Sequence, residues 1–237
     1  MKRTRSSLVV CLALLIFGLP ALAGHRSRQA DRSVQFRLGG LFVDGESDFW
    51  DDNQSVFTLE ASDFDGTMFG MTYSHAFNRF FDLDFNADFY GESVVSEYRD
   101  FVDGSGFPIL HDSKLQMTPM TVGVRLLPFG RSNGESKPVF FLGAGVGVNF
   151  WTYEEVGDFI DFSDPLNEII FGEFVERGEA FVKYGAAGLE LPLAEGFNLG
   201  FEARYFRSDD EFKDDFGGLG ELDMSGVAAS VSVNWRF

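Results

Sequence analysis

Beyond its opening segment the chain has no run of 18 apolar residues, which excludes a membrane-spanning helix there. It has one cysteine and three histidines, and only 19 basic residues stand against 37 acidic ones. A single cysteine, Cys11, cannot form an internal disulfide. Three scattered histidines rule out a clustered-histidine metal centre. The shortage of cations leaves a formal charge of −18, which argues against nucleic acid and anionic membrane surfaces as partners. High charge with little hydrophobicity would mean disorder, but 45% of residues are hydrophobic and phenylalanine alone numbers 29. That apolar content has to be buried by something other than spanning helices.

Residues 1–23 read as a secretory signal: Lys2, Arg3 and Arg5 precede an apolar stretch from Leu8 to Leu19, and Ala21-Leu22-Ala23 supplies small residues for cleavage. The apolar stretch is roughly 12 residues, short of the about 20 a spanning helix needs. Cys11 lies inside it without a small residue before it, which disfavours lipoprotein processing. Cleavage would leave a thiol-free chain with a charge of about −21. Residues 24–32 then form an N-terminal tail, and 33–237 one domain of moderate size.

Within that domain, alternating apolar and polar residues mark eight strands. They lie near Ser33–Val43, Thr67–Phe77, Asp82–Tyr90, Gln116–Leu127, Val139–Tyr153, Ala180–Leu191, Phe197–Arg207 and Met224–Phe237. Most are about ten residues, the length a tilted strand needs to cross a bilayer. Short connections (Asn78–Phe81, Pro128–Pro138, Pro192–Gly196) alternate with long ones (Asp44–Gly66, Gly91–Lys114, Glu154–Glu179, Ser208–Asp223). The long connections hold 29 of the 37 acids, offset only by Arg99, Lys114, Arg177 and Lys213. Such charge keeps a loop surface solvated. A weaker reading is divalent-cation binding, through Asp63 and Asp65 or through Asp209 and Asp210, whose oxygens are of the kind calcium uses. In the third long connection, Leu166, Ile169, Ile170 and Phe174 recur at helical spacing between Ser163 and Arg177, which predicts a short amphipathic helix.

The two faces of each strand differ in kind. One carries Phe36, Leu38, Phe85, Val122, Val124, Leu142, Val146 and Phe201; the other carries glycine, serine and charges. A charge at the lipid midplane costs about 2–4 kcal/mol, so a membrane barrel turns its bulky apolar face outward. Small residues suit the narrow interior of eight strands. Tyr73, Phe77, Phe80, Phe150, Trp151, Trp235 and Phe237 would form aromatic girdles. The sixth strand is ambiguous, because Lys183 shares parity with Leu189 and Leu191. Arg37, Asp84, Asp88, Arg125, Glu190, Glu202, Arg204 and Arg236 would fall inside, where unpaired charges are costly, and so an internal ion-pair network is expected. Its core should be Glu202 and Arg204 with neighbours on strands six and eight, and Arg125 with the aspartates of strand three.

The glycine-rich FFLGAGVGVNFW (140–151), the acidic GDFIDF (157–162) and the closing LDMSGVAASVSVNWRF resemble the small outer-membrane β-barrel families related to OmpA, OmpW and OmpX. That resemblance spans Val34–Phe237. It implies an all-β, eight-stranded, antiparallel up-and-down transmembrane barrel in a Gram-negative outer membrane. The last strand, with Val233, Trp235 and Phe237, resembles the assembly signal read by the barrel-assembly machinery. Outer-membrane lipid and lipopolysaccharide would be the surrounding partners, with divalent cations at the loops and the barrel a monomer. No cofactor is expected. A structural or surface-interaction role through the acidic loops is the leading function, and a narrow channel for ions or small apolar solutes the alternative. Catalysis would need a positioned histidine. His25 lies in the tail and His75 at a short-turn rim, which leaves His111, beside Asp112, as a solvated loop residue rather than a base.

Overall fold

The computed structural model describes residues 31–131, 137–162 and 166–237. The segment read as a signal, 1–23, and nearly all of the 24–32 tail lie outside the described residues. The chain runs β1 (Arg32–Val43), α1 (Asp48–Val56), β2 (Gly66–Ala76), β3 (Phe81–Val102), β4 (Pro108–Leu126), β5 (Val139–Asp161), β6 (Glu168–Ala194), β7 (Phe197–Glu211), β8 (Glu221–Asp223) and β9 (Gly226–Arg236). Sequential strands β1 to β7 pair antiparallel, and β9 lies between β7 and β1, which closes a ring of eight. The short β8 stands outside the ring and pairs with the end of β7. Closure leaves no unpaired edge at bilayer depth.

Strands β3 to β6 are far longer than a bilayer requires, with 22, 19, 23 and 27 residues. The second and third long connections are therefore mostly hairpin that continues beyond the lipid, with a tight turn at Asp103–Phe107 in the second. The alternation keeps its phase across the boundary, but the chemistry of the two faces exchanges. On β4 the outward side chains run Leu126, Val124, Val122 and Met120, then Thr118, Gln116, Lys114 and Asp112. The inward ones run Arg125, Gly123 and Thr121, then Met117 and Leu115. Next to lipid the outside must be apolar; once water is the solvent, the apolar side chains turn in. On β6, Lys183 faces outward with Phe181 and Leu189, whereas Val182 and Tyr184 are buried.

Two expectations are corrected. The helix expected over Ser163–Arg177 is not formed: from Glu168 onward this segment is β6, paired without a break to β5, with Ile169 opposite Ile160 and Phe174 opposite Glu155. Ser163 to Pro165 lie outside the described residues. β-branched and aromatic residues suit a pleated surface, and a long partner strand outweighs local helical spacing. The helix of the outer region is α1, in the first long connection, with Asp48 and Asp51 in its first turn, where the helix dipole favours them. Trp151, expected in an aromatic girdle, is instead buried on the inward face and donates from Nε1 to Asp210 Oδ2 at 3.1 Å. It falls on the inward parity of β5 above the lipid, where apolar groups turn inside. A girdle does form at the short-turn rim, where Phe197 stacks on Trp235 at 6.3 Å and Phe237 meets Trp235 at a tilt at 5.2 Å.

Refolded into bilayers, Val122→Arg should lose about 2–4 kcal/mol in a urea titration, because Val122 faces the lipid midzone. Gln116→Arg, on the same face but above the apolar band, should shift the midpoint little.

Candidate functional site

The interior holds two layers of ion pairs beneath an apolar plug. In the lower layer, Arg125 Nε lies 2.9 Å from Asp84 and its Nη1 2.8 Å from Glu190. Glu190 also pairs with Arg236 and accepts 2.9 Å from Asn234 Nδ2. Arg125 further donates to Gln35 at 3.2 Å and lies 4.3 Å above the Phe141 ring. Arg131, from the β4–β5 connection, folds back to grip Asp82. The upper layer joins Arg37 to Asp88 at 2.6 Å, and Arg204 to Asp88 at 3.2 Å and to Glu202 at 2.7 Å. Three arginines meet three carboxylates below, and two meet two above, so each layer is neutral.

These side chains are almost wholly removed from solvent, Arg125 being 2% and Arg204 3% exposed. A buried charge is tolerable only with such partners. Asp88 and Glu190 each serve two arginines. The partners of Arg204 include Asp88 on β3, across the lumen, rather than groups on the neighbouring strands six and eight alone. Tyr184 separates the layers: Asn86 Nδ2 donates 3.1 Å to its hydroxyl, and Arg204 sits 4.5 Å from its ring centre. A side chain at Gly123 or Gly145 would collide with this tyrosine, so the glycines of β4 and β5 make room for it. Sequence reading missed Arg131, placed in a turn, and Tyr184, on the strand whose parity was ambiguous.

Above the ion pairs the barrel is filled like a soluble core. Leu41, Met68, Leu115, Val182 and Phe206 line the wall, and Phe49, Trp50 and Phe64 enter from the first long connection. Phe212 and Phe216 enter from the last, and Phe49 meets Tyr153 and Phe212 edge-on at 5.4 and 4.8 Å. Trp50 is fully buried, and its Nε1 donates 2.9 Å to the Asp223 carbonyl. The outer mouth is shut by packed aromatic rings.

The aspartates considered for cations have other partners. Asp63 accepts from the Glu60 amide, Asp65 from the Val43 amide, and Asp210 from Trp151 and Lys213. Asp209 lies opposite Asp223 on β8. Among the described residues no group of three or more His, Cys, Asp or Glu side chains could hold a metal ion. Asp63, Asp65 and Asp210 each accept from a backbone N–H, of Glu60, Val43 and Glu211 in turn.

His111, read as solvated, is buried in the hairpin extension of β4, with Nε2 2.9 Å from Ser96 Oγ. Phe57, Tyr98 and Phe159 surround its ring. Burial lowers its pKa from 6.5 to about 4, against a smaller opposing effect of Asp112. Glu155, near the same level on β5, is pushed up to about 7 by burial, partly offset by the Tyr153 hydroxyl that donates to it at 2.7 Å.

A closed antiparallel ring with an apolar outer belt, aromatic rims and a paired charged interior defines a small transmembrane β-barrel. The family model for the outer membrane protein beta-barrel domain matches residues 9–237, and the chain belongs to that family. It is an outer-membrane protein. Solved structures agree on the fold. Neisserial surface protein A is 11% identical with a TM-score of 0.50, covering 87% of this chain and 97% of that one. OprG from Pseudomonas aeruginosa is 14% identical with a TM-score of 0.50, covering 88% and 96%. No curated protein matches the chain in sequence.

Arg125→Ala should destabilise the barrel by about 3–5 kcal/mol by leaving Asp84 and Glu190 without their shared partner, measured by urea unfolding in bilayers. The buried His111 predicts an acid effect. Its folded pKa lies below its unfolded value, so the unfolded hairpin takes up the proton first, and stability falls as pH drops from 6.5 toward about 4. Glu155 acts in the opposite sense, its contribution rising as pH falls from about 7. Hydrogen exchange of the hairpin amides at pH 7 and pH 5 should isolate the histidine part, which His111→Asn removes.

Proposed function

We propose that this protein is a closed, non-enzymatic outer-membrane barrel that acts through its outer surface rather than by conducting solute. One observation carries this reading: the lumen is blocked twice, by neutral ion-pair layers and by the aromatic plug around Trp50, Phe49 and Phe212. An eight-stranded interior has room for side chains and little more. The extended hairpins, by contrast, hold a rigid and acidic surface above the lipid. The Ser96–His111 pair does not make a hydrolase, since its imidazole is enclosed by aromatic rings and is a weak base with a pKa of about 4.

The barrel would work as a monomer, surrounded by outer-membrane lipid and lipopolysaccharide. β9 and the Phe237 that follows it, with Val233, Trp235 and Phe237 exposed, would be the segment read by the assembly machinery. Solvated outer acids would attract divalent cations loosely, without a formed site. A second reading, a narrow ion path, draws support from Asp88 and Glu190, each placed between two arginines that could exchange partners.

Planar-bilayer recording separates the two. The wild-type protein should give no conductance steps, and Trp50→Ala combined with Phe212→Ala should remain silent because the ion pairs still block the bore. Steps in the wild type that Glu202→Gln alters would establish the channel instead.

A further inference from the structure

The tips of the two longest hairpins carry apolar side chains that neither lipid nor the core explains. Phe101 lies a dozen residues beyond Phe89, at the outer limit of the lipid-facing band. At about 3.3 Å per residue on a tilted strand, that is roughly 30 Å above the bilayer. In water at that height, Phe107 is 67%, Phe162 58% and Phe171 73% exposed, with Phe101 and Ile169 also open. The two tips meet, since the rings of Phe101 and Phe162 lie 5.5 Å apart and both approach Tyr98. Tyr98 is anchored in turn by its hydroxyl, which accepts the Ile160 amide at 3.2 Å, and by packing with Ile109 and Ile160. Phe101 and Phe162 thus stand on a small core that spans both hairpins, and Phe171 lies two positions along β6 from Ile169, the strand partner of Ile160 in that core. Exposed aromatic side chains grouped in this way mark a binding face.

Its surroundings specify the partner. Asp158 lies directly opposite Phe171, and Asp161 directly opposite Glu168, which places acidic residues beside the aromatic side chains. Asp103 forms the β3–β4 tip, and Asp100 precedes Phe101. Arg99 is the one cation among the described residues of the two tips, and its Nε is committed to the Gln54 carbonyl at 2.6 Å. An apolar centre ringed by negative charge is complementary to a positively charged, amphipathic protein segment. We propose that the joined β3–β4 and β5–β6 tips form a docking site for a basic protein segment, seating its apolar side chains on Phe101, Phe162 and Phe171 and its cations on Asp158, Asp161 and Glu168. This deepens the surface-interaction reading and rests on it.

The test uses the full barrel in phosphatidylcholine nanodiscs and two synthetic amphipathic peptides, one of lysine and leucine, the other of glutamate and leucine. By fluorescence anisotropy, the lysine peptide should bind at least tenfold more tightly than the glutamate peptide and than to empty discs. Binding should weaken as salt is raised. The triple variant Phe101→Ser, Phe162→Ser, Phe171→Ser should cost tenfold or more in affinity, and Asp161→Asn with Glu168→Gln should flatten the salt dependence. Heat-modified gel mobility checks that each variant is still a folded barrel. Equal binding by the wild type and the triple variant would overturn the site, as would concentration-dependent self-association of the wild type that the same variants abolish. Conductance tests the closed lumen separately, so a failure there is distinguishable from a failure here.

Discussion

The rest of this structure follows from a change of solvent partway along each strand. Lipid cannot hydrogen-bond, so at bilayer depth the backbone must pair fully within a closed ring and the outer surface must be apolar. A few residues further out the same strands stand in water and obey the opposite rule. The chain meets both demands without breaking its alternation, placing Val122 outside and Thr121 inside in one zone, and Gln116 outside and Leu115 inside in the next. The polar filling of the lower bore and the apolar filling of the upper bore are two results of that one boundary.

Each filling closes the bore in its own way. Below, guanidinium and carboxylate groups neutralise one another in layers, and Gly123 and Gly145 yield the width that Tyr184 occupies. Above, connections one and four return into the mouth and contribute Phe49 and Phe212, which pack on Tyr153 and Trp151 of β5. The first and last outer connections therefore serve the inside of the barrel. The second and third, as hairpins, are free to project.

The parts of this architecture that were legible in sequence are those where one rule holds over a whole strand. β1, β2, β7 and β9 lie mostly at bilayer depth, and their limits differ from the sequence reading by a few residues. β3 to β6 cross the boundary, and there the pattern reverses polarity, so Trp151 reads as a girdle residue rather than as core. Leu166 to Phe174 showed helical spacing because an apolar strand in water, exposed on one side and packed on the other, need not alternate strictly. The eight interior charges could be assigned from parity alone. Their partners across the bore could not, because which strands face one another depends on the shear of the closed barrel.

The ion pairs also constrain how such a barrel can enter the membrane. Arg37 belongs to the first strand, yet its carboxylate partner Asp88 is shared with Arg204 near the end of the chain. Until the first and last strands have met, these guanidinium groups have no complete set of counterions and would face hydrocarbon through an open seam. Sealing the seam and completing the Asp88–Arg204 bridge are therefore one event.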